Sequence, residues 1–141
     1  MKVTAIYHPD QTTECSRPLF MVPVSAGFPS PAEDYIEAKL DLNQYLVKNP
    51  IATFFVKVSG NSMIDAGIHD GDILIVDRSL KPVNNRVIIA VLNGELTVRR
   101  IRITKNSIFL ISENKDYKPI QVEEDMGFEV WGVVTNVIHP L

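Results

Sequence analysis

The stretch Arg86-Val87-Ile88-Ile89-Ala90-Val91-Leu92-Asn93-Gly94-Glu95-Leu96-Thr97-Val98-Arg99-Arg100-Ile101 decides the fold. Two runs rich in β-formers flank Asn93-Gly94. That dipeptide accepts the left-handed backbone of a two-residue hairpin turn, so the stretch reads as a β-hairpin. Further strands lie on both sides. Upstream are Thr53-Phe54-Phe55-Val56-Lys57-Val58 and the apolar run Asp72-Ile73-Leu74-Ile75-Val76-Asp77. Downstream, Ser107 to Ser112, Pro119 to Val122 and Phe128 to Ile138 repeat the signal. Strand after strand with short connections predicts a mainly β protein, a compact and strongly bent antiparallel domain that is barrel-like in its closure.

Toward the N-terminus the pattern changes. Ser30-Pro31-Ala32-Glu33 has a cap, a first-turn proline and a capping-box glutamate, which predicts a short helix to about Lys39 with Ile36 and Leu40 on one side. Asp41 is placed to cap a second short helix carrying Leu42, Tyr45 and Leu46, ended by Asn49-Pro50. Residues 1–29 lack sustained periodicity and contain several prolines and small residues, so they read as an extended N-terminal arm. The expected division is an arm over 1–29 and a β-rich domain over 30–141.

The 141 residues suit one domain, and 45% hydrophobic with 22% charged residues is the balance of a soluble globular chain. No apolar run reaches the roughly 20 residues of a membrane helix, and the N-terminus is not a secretory signal. A lone cysteine, Cys15, fits a reducing cytoplasm. The net charge of −3 and the interspersed charges argue against autonomous DNA binding. His8, His69 and His139 show no metal-ligand spacing, and Asp70, Asp72 and Asp77 read as turn and strand-end residues. No metal and no cofactor are expected.

Chemistry concentrates in the turn Ser59-Gly60-Asn61-Ser62-Met63. A serine on a tight turn after a strand projects from the sheet, and the backbone N–H groups of Ser62 and Met63 are placed to bind an oxyanion. The same residues also make an ordinary turn. Segments elsewhere in the chain narrow the choice. Gly71-Asp72 leads into a strand, and Gly94-Glu95-Leu96-Thr97-Val98 opens the second hairpin strand. Ala26-Gly27-Phe28-Pro29-Ser30-Pro31 stands upstream, and Val130-Trp131-Gly132-Val133-Val134 closes the pattern.

In order and spacing these segments resemble the LexA/UmuD family of self-cleaving proteins, and UmuD in particular, over about residues 19–138. The resemblance implies the LexA C-terminal type of β domain, with Ser62 as nucleophile and Ala26-Gly27 as the scissile bond. It implies a Ser/Lys dyad in which a lysine of depressed pKa takes the serine proton. It also implies an accessory subunit of an error-prone translesion polymerase in the SOS response. The partners would be a second copy in a homodimer, a RecA–DNA filament that stimulates cleavage and a UmuC-like Y-family DNA polymerase.

One position departs from the family. Arg99 stands where the dyad lysine belongs. A guanidinium, with a pKa above about 12, does not act as a general base at neutral pH. Self-cleavage is therefore expected to be abolished or very slow, unless another base such as Lys57 substitutes. Three rivals stand beside this reading: a truncated LexA-like repressor domain, a signal-peptidase relative, and a non-catalytic dimeric binding module. The first calls for a DNA-binding domain and the second for a membrane anchor, whereas Arg99 keeps the third alive. Trp131, Phe54 and Phe55 read as core or dimer interface, and Met63 as core or cleft wall.

Overall fold

Asn93 and Gly94 both take positive φ (51° and 79°), which is the backbone of the predicted hairpin turn. The turn closes directly on the pair Leu92 and Glu95. The computed structural model describes residues 1–10, 16–20 and 36–141. Its strands are β1 (Lys2–Tyr7), β2 (Ser16–Phe20), β3 (Ile36–Asp41), β4 (Thr53–Ser59), β5 (Ile73–Asp77), β6 (Val87–Leu92), β7 (Glu95–Ile103), β8 (Ile108–Ile111), β9 (Ile120–Gln121) and β10 (Glu129–Ile138). One short α-helix, α1 (Leu42–Leu46), and three 3-10 turns complete the described elements. The protein is mainly β, as its sequence predicts.

The chain divides into two units, residues 1–9 with 49–141, and residues 10–48. Strand β1 belongs with the C-terminal strands.

In the larger unit the strand order is β1-β4-β5-β10-β6-β7-β8-β9, and β1 also pairs with β7 through Lys2 and Thr97. That last pairing closes β1, β4, β5, β10, β6 and β7 into a six-stranded antiparallel barrel, with β8 and β9 as a ribbon extending from β7. Barrel closure removes the open edges that β1 and β7 would otherwise present. Register shifts at Val3/Ala5 in β1 and at Val130/Gly132 and Val134/Asn136 in β10 supply the bends.

Strand alternation splits the core in two. From β6, Ile89 joins Val56, Val58, Leu74, Val76 and Val98 in one cluster, which also holds Met1 and Met63. Its neighbours Ile88 and Ala90 face the second cluster with Ile101, Leu110 and Val133. Phe54 and Trp131 are half-buried and pack against the first cluster, their rings edge-on to each other at 5.3 Å. Arg78 covers the Trp131 ring at 4.5 Å.

In the smaller unit β2 pairs antiparallel with β3. Residues 36–39, expected in a helix, form a strand instead. The sequence Ile36-Glu37-Ala38-Lys39-Leu40-Asp41 alternates apolar and polar with period two, and this outweighs the helix-start pattern before it. The following helix is capped as expected, with the Asp41 carboxylate accepting the Asn43 N–H at 2.9 Å.

Candidate active site around Ser62

Strand β4 ends at Ser59, and the chain reverses through Gly60 at φ +103°, a conformation that favours glycine. The Gly60 N–H donates to the Asp70 carboxylate at 2.8 Å, which pins the turn. Asn61 is braced from the segment after β8. Asn114 donates to its carbonyl at 2.8 Å, and the Tyr117 hydroxyl donates to its side-chain oxygen at 2.9 Å. Ser62 and Met63 are the next two residues, exposed by only 1% and 0%. Met63 is a core residue, so its burial anchors the serine beside it. Among the described residues, no acceptor takes the backbone N–H of Ser62 or Met63.

Two nitrogens converge on the Ser62 hydroxyl. Arg99 reaches it from β7, Nη1 donating to Oγ at 3.2 Å and to the Val98 carbonyl at 2.7 Å. The Arg99 Nε is buried and has no hydrogen-bond partner among the described residues. Burial lowers the Arg99 pKa, and the Tyr117 hydroxyl group opposes that shift.

The second nitrogen is the α-amino group of Met1, 2.6 Å from Ser62 Oγ and buried. Met1 precedes β1 and is clamped by its carbonyl, which accepts the Val98 N–H at 3.2 Å and the Thr97 hydroxyl at 2.9 Å. Its side chain lies in the first core cluster, and its Cα packs against Gly60. Burial pushes the pKa of this amine down to about 6, with the Arg99 and Lys2 charges adding to the effect.

The fold thus brings together Ser62, Met63 and Arg99. The expected scissile pair, Ala26 and Gly27, lies outside the described residues. Lys57, the substitute base considered from sequence, is exposed on β4 between the buried Val56 and Val58, so its side chain leaves the barrel on the other face. Sequence reasoning misses Met1. Its only sequence signal is the β-forming character of Val3, Thr4, Ile6 and Tyr7 immediately after it, and nothing local couples that strand to Ser62.

A second polar cluster is also invisible to spacing. The buried Asp72 accepts the His69 backbone N–H at 2.7 Å and lies 2.6 Å from His139 Nδ1, and the two imidazole rings lie 4.4 Å apart, tilted by 33°. Its two carboxylate oxygens are both engaged, and it ties the start of β5 to the segment after β10.

Comparison with known proteins agrees with this geometry. The Peptidase S24-like family model matches residues 18–135. The chain is 40% identical to Protein ImpA of Salmonella typhimurium, covering 97% of this chain and 96% of ImpA. It is 42% identical to Protein MucA of Escherichia coli over 89% of this chain and 88% of MucA. Against the LexA repressor of Photorhabdus laumondii it is 39% identical, over 82% of this chain and 58% of the repressor. No helix among the described residues is long and apolar enough to cross a membrane. The chain belongs to the Peptidase S24-like family, as a UmuD-like member of its LexA/UmuD group.

Proposed function

We propose that this chain is an SOS-response mutagenesis protein of the UmuD type, a homodimeric cytoplasmic accessory subunit of an error-prone Y-family translesion polymerase. Its activity is regulated by cleavage of its own Ala26-Gly27 bond, with Ser62 as the nucleophile and a RecA–DNA filament as the stimulus. The observation that carries the reading is the buried Ser62 hydroxyl on a braced turn, with two nitrogens on its oxygen. Near end-to-end similarity to ImpA and MucA supports a UmuD-type role over that of a repressor.

Arg99 is the weak point of the peptidase. Its guanidinium stabilises charge on Oγ, or on an oxyanion through Nε–H, which has no partner among the described residues, and it does not accept the serine proton. Cleavage is therefore slower than in a lysine-bearing chain. Arg99 also favours a second reading, a non-catalytic regulatory module in which the barrel only binds its partners.

Mass spectrometry after incubation with RecA filament, or at alkaline pH, separates the two. Arg99→Lys is expected to release a fragment beginning at Gly27, faster than the unaltered chain does, and Ser62→Ala to release none. If Arg99→Lys stays whole, Ser62 is not the nucleophile of a lysine dyad and the binding-module reading prevails. A monomer in sedimentation would remove the dimer from the proposal.

A further inference from the structure

We infer that His69, Asp72 and His139 form a binding site for a divalent transition-metal ion of the Zn²⁺ class. The site lies apart from the Ser62 hydroxyl and stands whether or not that serine is a nucleophile.

The backbone builds the cluster from two directions. Antiparallel pairing sets Ile138 of β10 opposite Ile73 of β5, so the next pair outward is His139 and Asp72. His69 arrives through a tight reversal at Asp70-Gly71. There the Asp72 N–H donates to the His69 carbonyl at 3.1 Å, and Gly71 takes φ +86°. Ile68, buried in the first core cluster, fixes the residue before His69. The three side chains offer ligand atoms that all lie within 4.8 Å of one another.

Burial gives the set its chemical meaning. Asp72 is only 1% exposed, and a buried carboxylate requires partners. Its Oδ2 accepts the His69 backbone N–H at 2.7 Å, which orients the carboxylate, and its Oδ1 faces His139 Nδ1 at 2.6 Å. The histidine side chains are 42% and 40% exposed, so an ion can enter from solvent. Yet the His69 Nδ1 atom is itself buried and has no hydrogen-bond partner among the described residues. It lies 3.8 Å from Asp72 Oδ2, too far for a hydrogen bond. Buried polar atoms are paired as a rule. A cation held between the two imidazoles and the carboxylate gives this nitrogen the partner it lacks.

The donor set selects the ion. Two imidazole nitrogens and one carboxylate oxygen suit Zn²⁺ and its neighbours, whereas Mg²⁺ and Ca²⁺ call for oxygen ligands. Three protein ligands leave a fourth position for water. Without metal, the carboxylate only accepts, so His139 donates from Nδ1. The cation replaces that proton, and the imidazole keeps its hydrogen on Nε2. Metal–ligand bonds of about 2.0–2.2 Å at tetrahedral angles set ligand atoms roughly 3.3 Å apart. His139 therefore withdraws from Asp72 by less than about 1 Å and His69 closes in by a similar amount. Both adjustments fall on exposed rings.

A bound ion would cross-link one end of the barrel. It joins the start of β5 to the segment after β10. The Asp72 carbonyl accepts the Val58 N–H at 3.1 Å and the Gly71 N–H donates to the Val58 carbonyl at 2.9 Å, so the end of β4 is tied in as well. Asp70, inside the same reversal, holds the Gly60 N–H at 2.8 Å.

The test uses the untagged full chain and Zn²⁺ alone, titrated by calorimetry, with Mg²⁺ as the control. His8→Ala and Cys15→Ser in the background remove the chain's remaining histidine and its sole cysteine. One Zn²⁺ per chain is expected, with no heat from Mg²⁺. Zinc at roughly ten times its dissociation constant should raise Tm by about 5 °C. Loss of a group that merely orients a ligand costs about 10–100-fold in metal affinity, so His69→Ala and His139→Ala should each cost about 100-fold or more. Long-range ¹⁵N spectra should show the Nδ1 resonances of both histidines moving as zinc is added. Asp72→Asn is not needed, so a folding defect from the buried residue cannot obscure the result. A dissociation constant above about 1 mM overturns the inference. So does zinc binding that survives the double histidine variant, or that depends on only one of the two histidines. Mg²⁺ binding as tightly as Zn²⁺ overturns the assignment to a transition ion.

Discussion

Strands β1 and β7 flank the same serine and deliver one nitrogen each, yet they are built differently. β7 is the second arm of a tight hairpin and buries Val98 and Ile101 completely or nearly so. β1 begins beside the chain terminus, leaves Ile6 and Tyr7 exposed, and is tied mainly through its ladder to β4 and the single pairing to β7. The strand with strong local specification carries the arginine, which cannot accept a proton. The strand with weak local specification brings the Met1 nitrogen to the same oxygen. Arginine at position 99 supplies fixed charge from a rigid element.

The largest expected effect tests whether these nitrogens converge on a nucleophile at all. Ser62→Ala should reduce formation of the Gly27 fragment by about 10⁴-fold or more, measured by mass spectrometry. Appreciable residual cutting would mean that neither strand is serving Ser62, and the contrast between β1 and β7 would lose its chemical content. Next in size is the effect of the missing base. Arg99→Lys should raise the cleavage rate by about 1000-fold, since a buried lysine can lose its proton and then act as a general base. That result would place the base on β7. A gain of less than about tenfold would show that β7 does not hold position 99 where a base is needed.

Legibility in the sequence divides along the same contrast. The β6–β7 hairpin is readable because its partners are adjacent and Asn93-Gly94 fixes the turn. The Ser62 turn is readable from Gly60 and from the resemblance of its surroundings. The β1 strand is not, because Lys2 finds Ser59 and Thr97 far along the chain and six residues carry little periodic signal. The stretch Ile36–Asp41 misleads for another reason, a helix-start pattern set immediately before a period-two run. Asp72 likewise meets His139 across 67 residues, a pairing no local spacing announces.

Stability sharpens the comparison further. Ile101→Ala on β7 should cost about 3 kcal/mol, as truncation of a fully enclosed aliphatic side chain does. Val3→Ala on β1, where the side chain is only partly buried, should cost about 1 kcal/mol. Urea melts of both variants check the difference. Equal costs would mean that β1 is as integral to the barrel as β7.

The smallest effect isolates the amine itself. Its pKa in the folded chain is about 6, against 8.0 for an unperturbed terminus. Between those values the unfolded chain binds more protons than the folded one, so stability must rise with pH across that window. The contribution is full above pH 8.0 and is lost as pH falls through about 6, where the ammonium becomes a buried charge beside Arg99. Its size is on the order of 1 kcal/mol once solvent screening of a partly wet group is allowed for. A full-length chain with a des-amino residue at position 1 lacks this group and shares every other titration, so the difference between the two chains' urea melts across the window reports Met1 alone. A rise of the predicted sign means that the barrel holds this amine largely neutral at pH 7. A flat difference would mean that the amine keeps its ordinary pKa on β1.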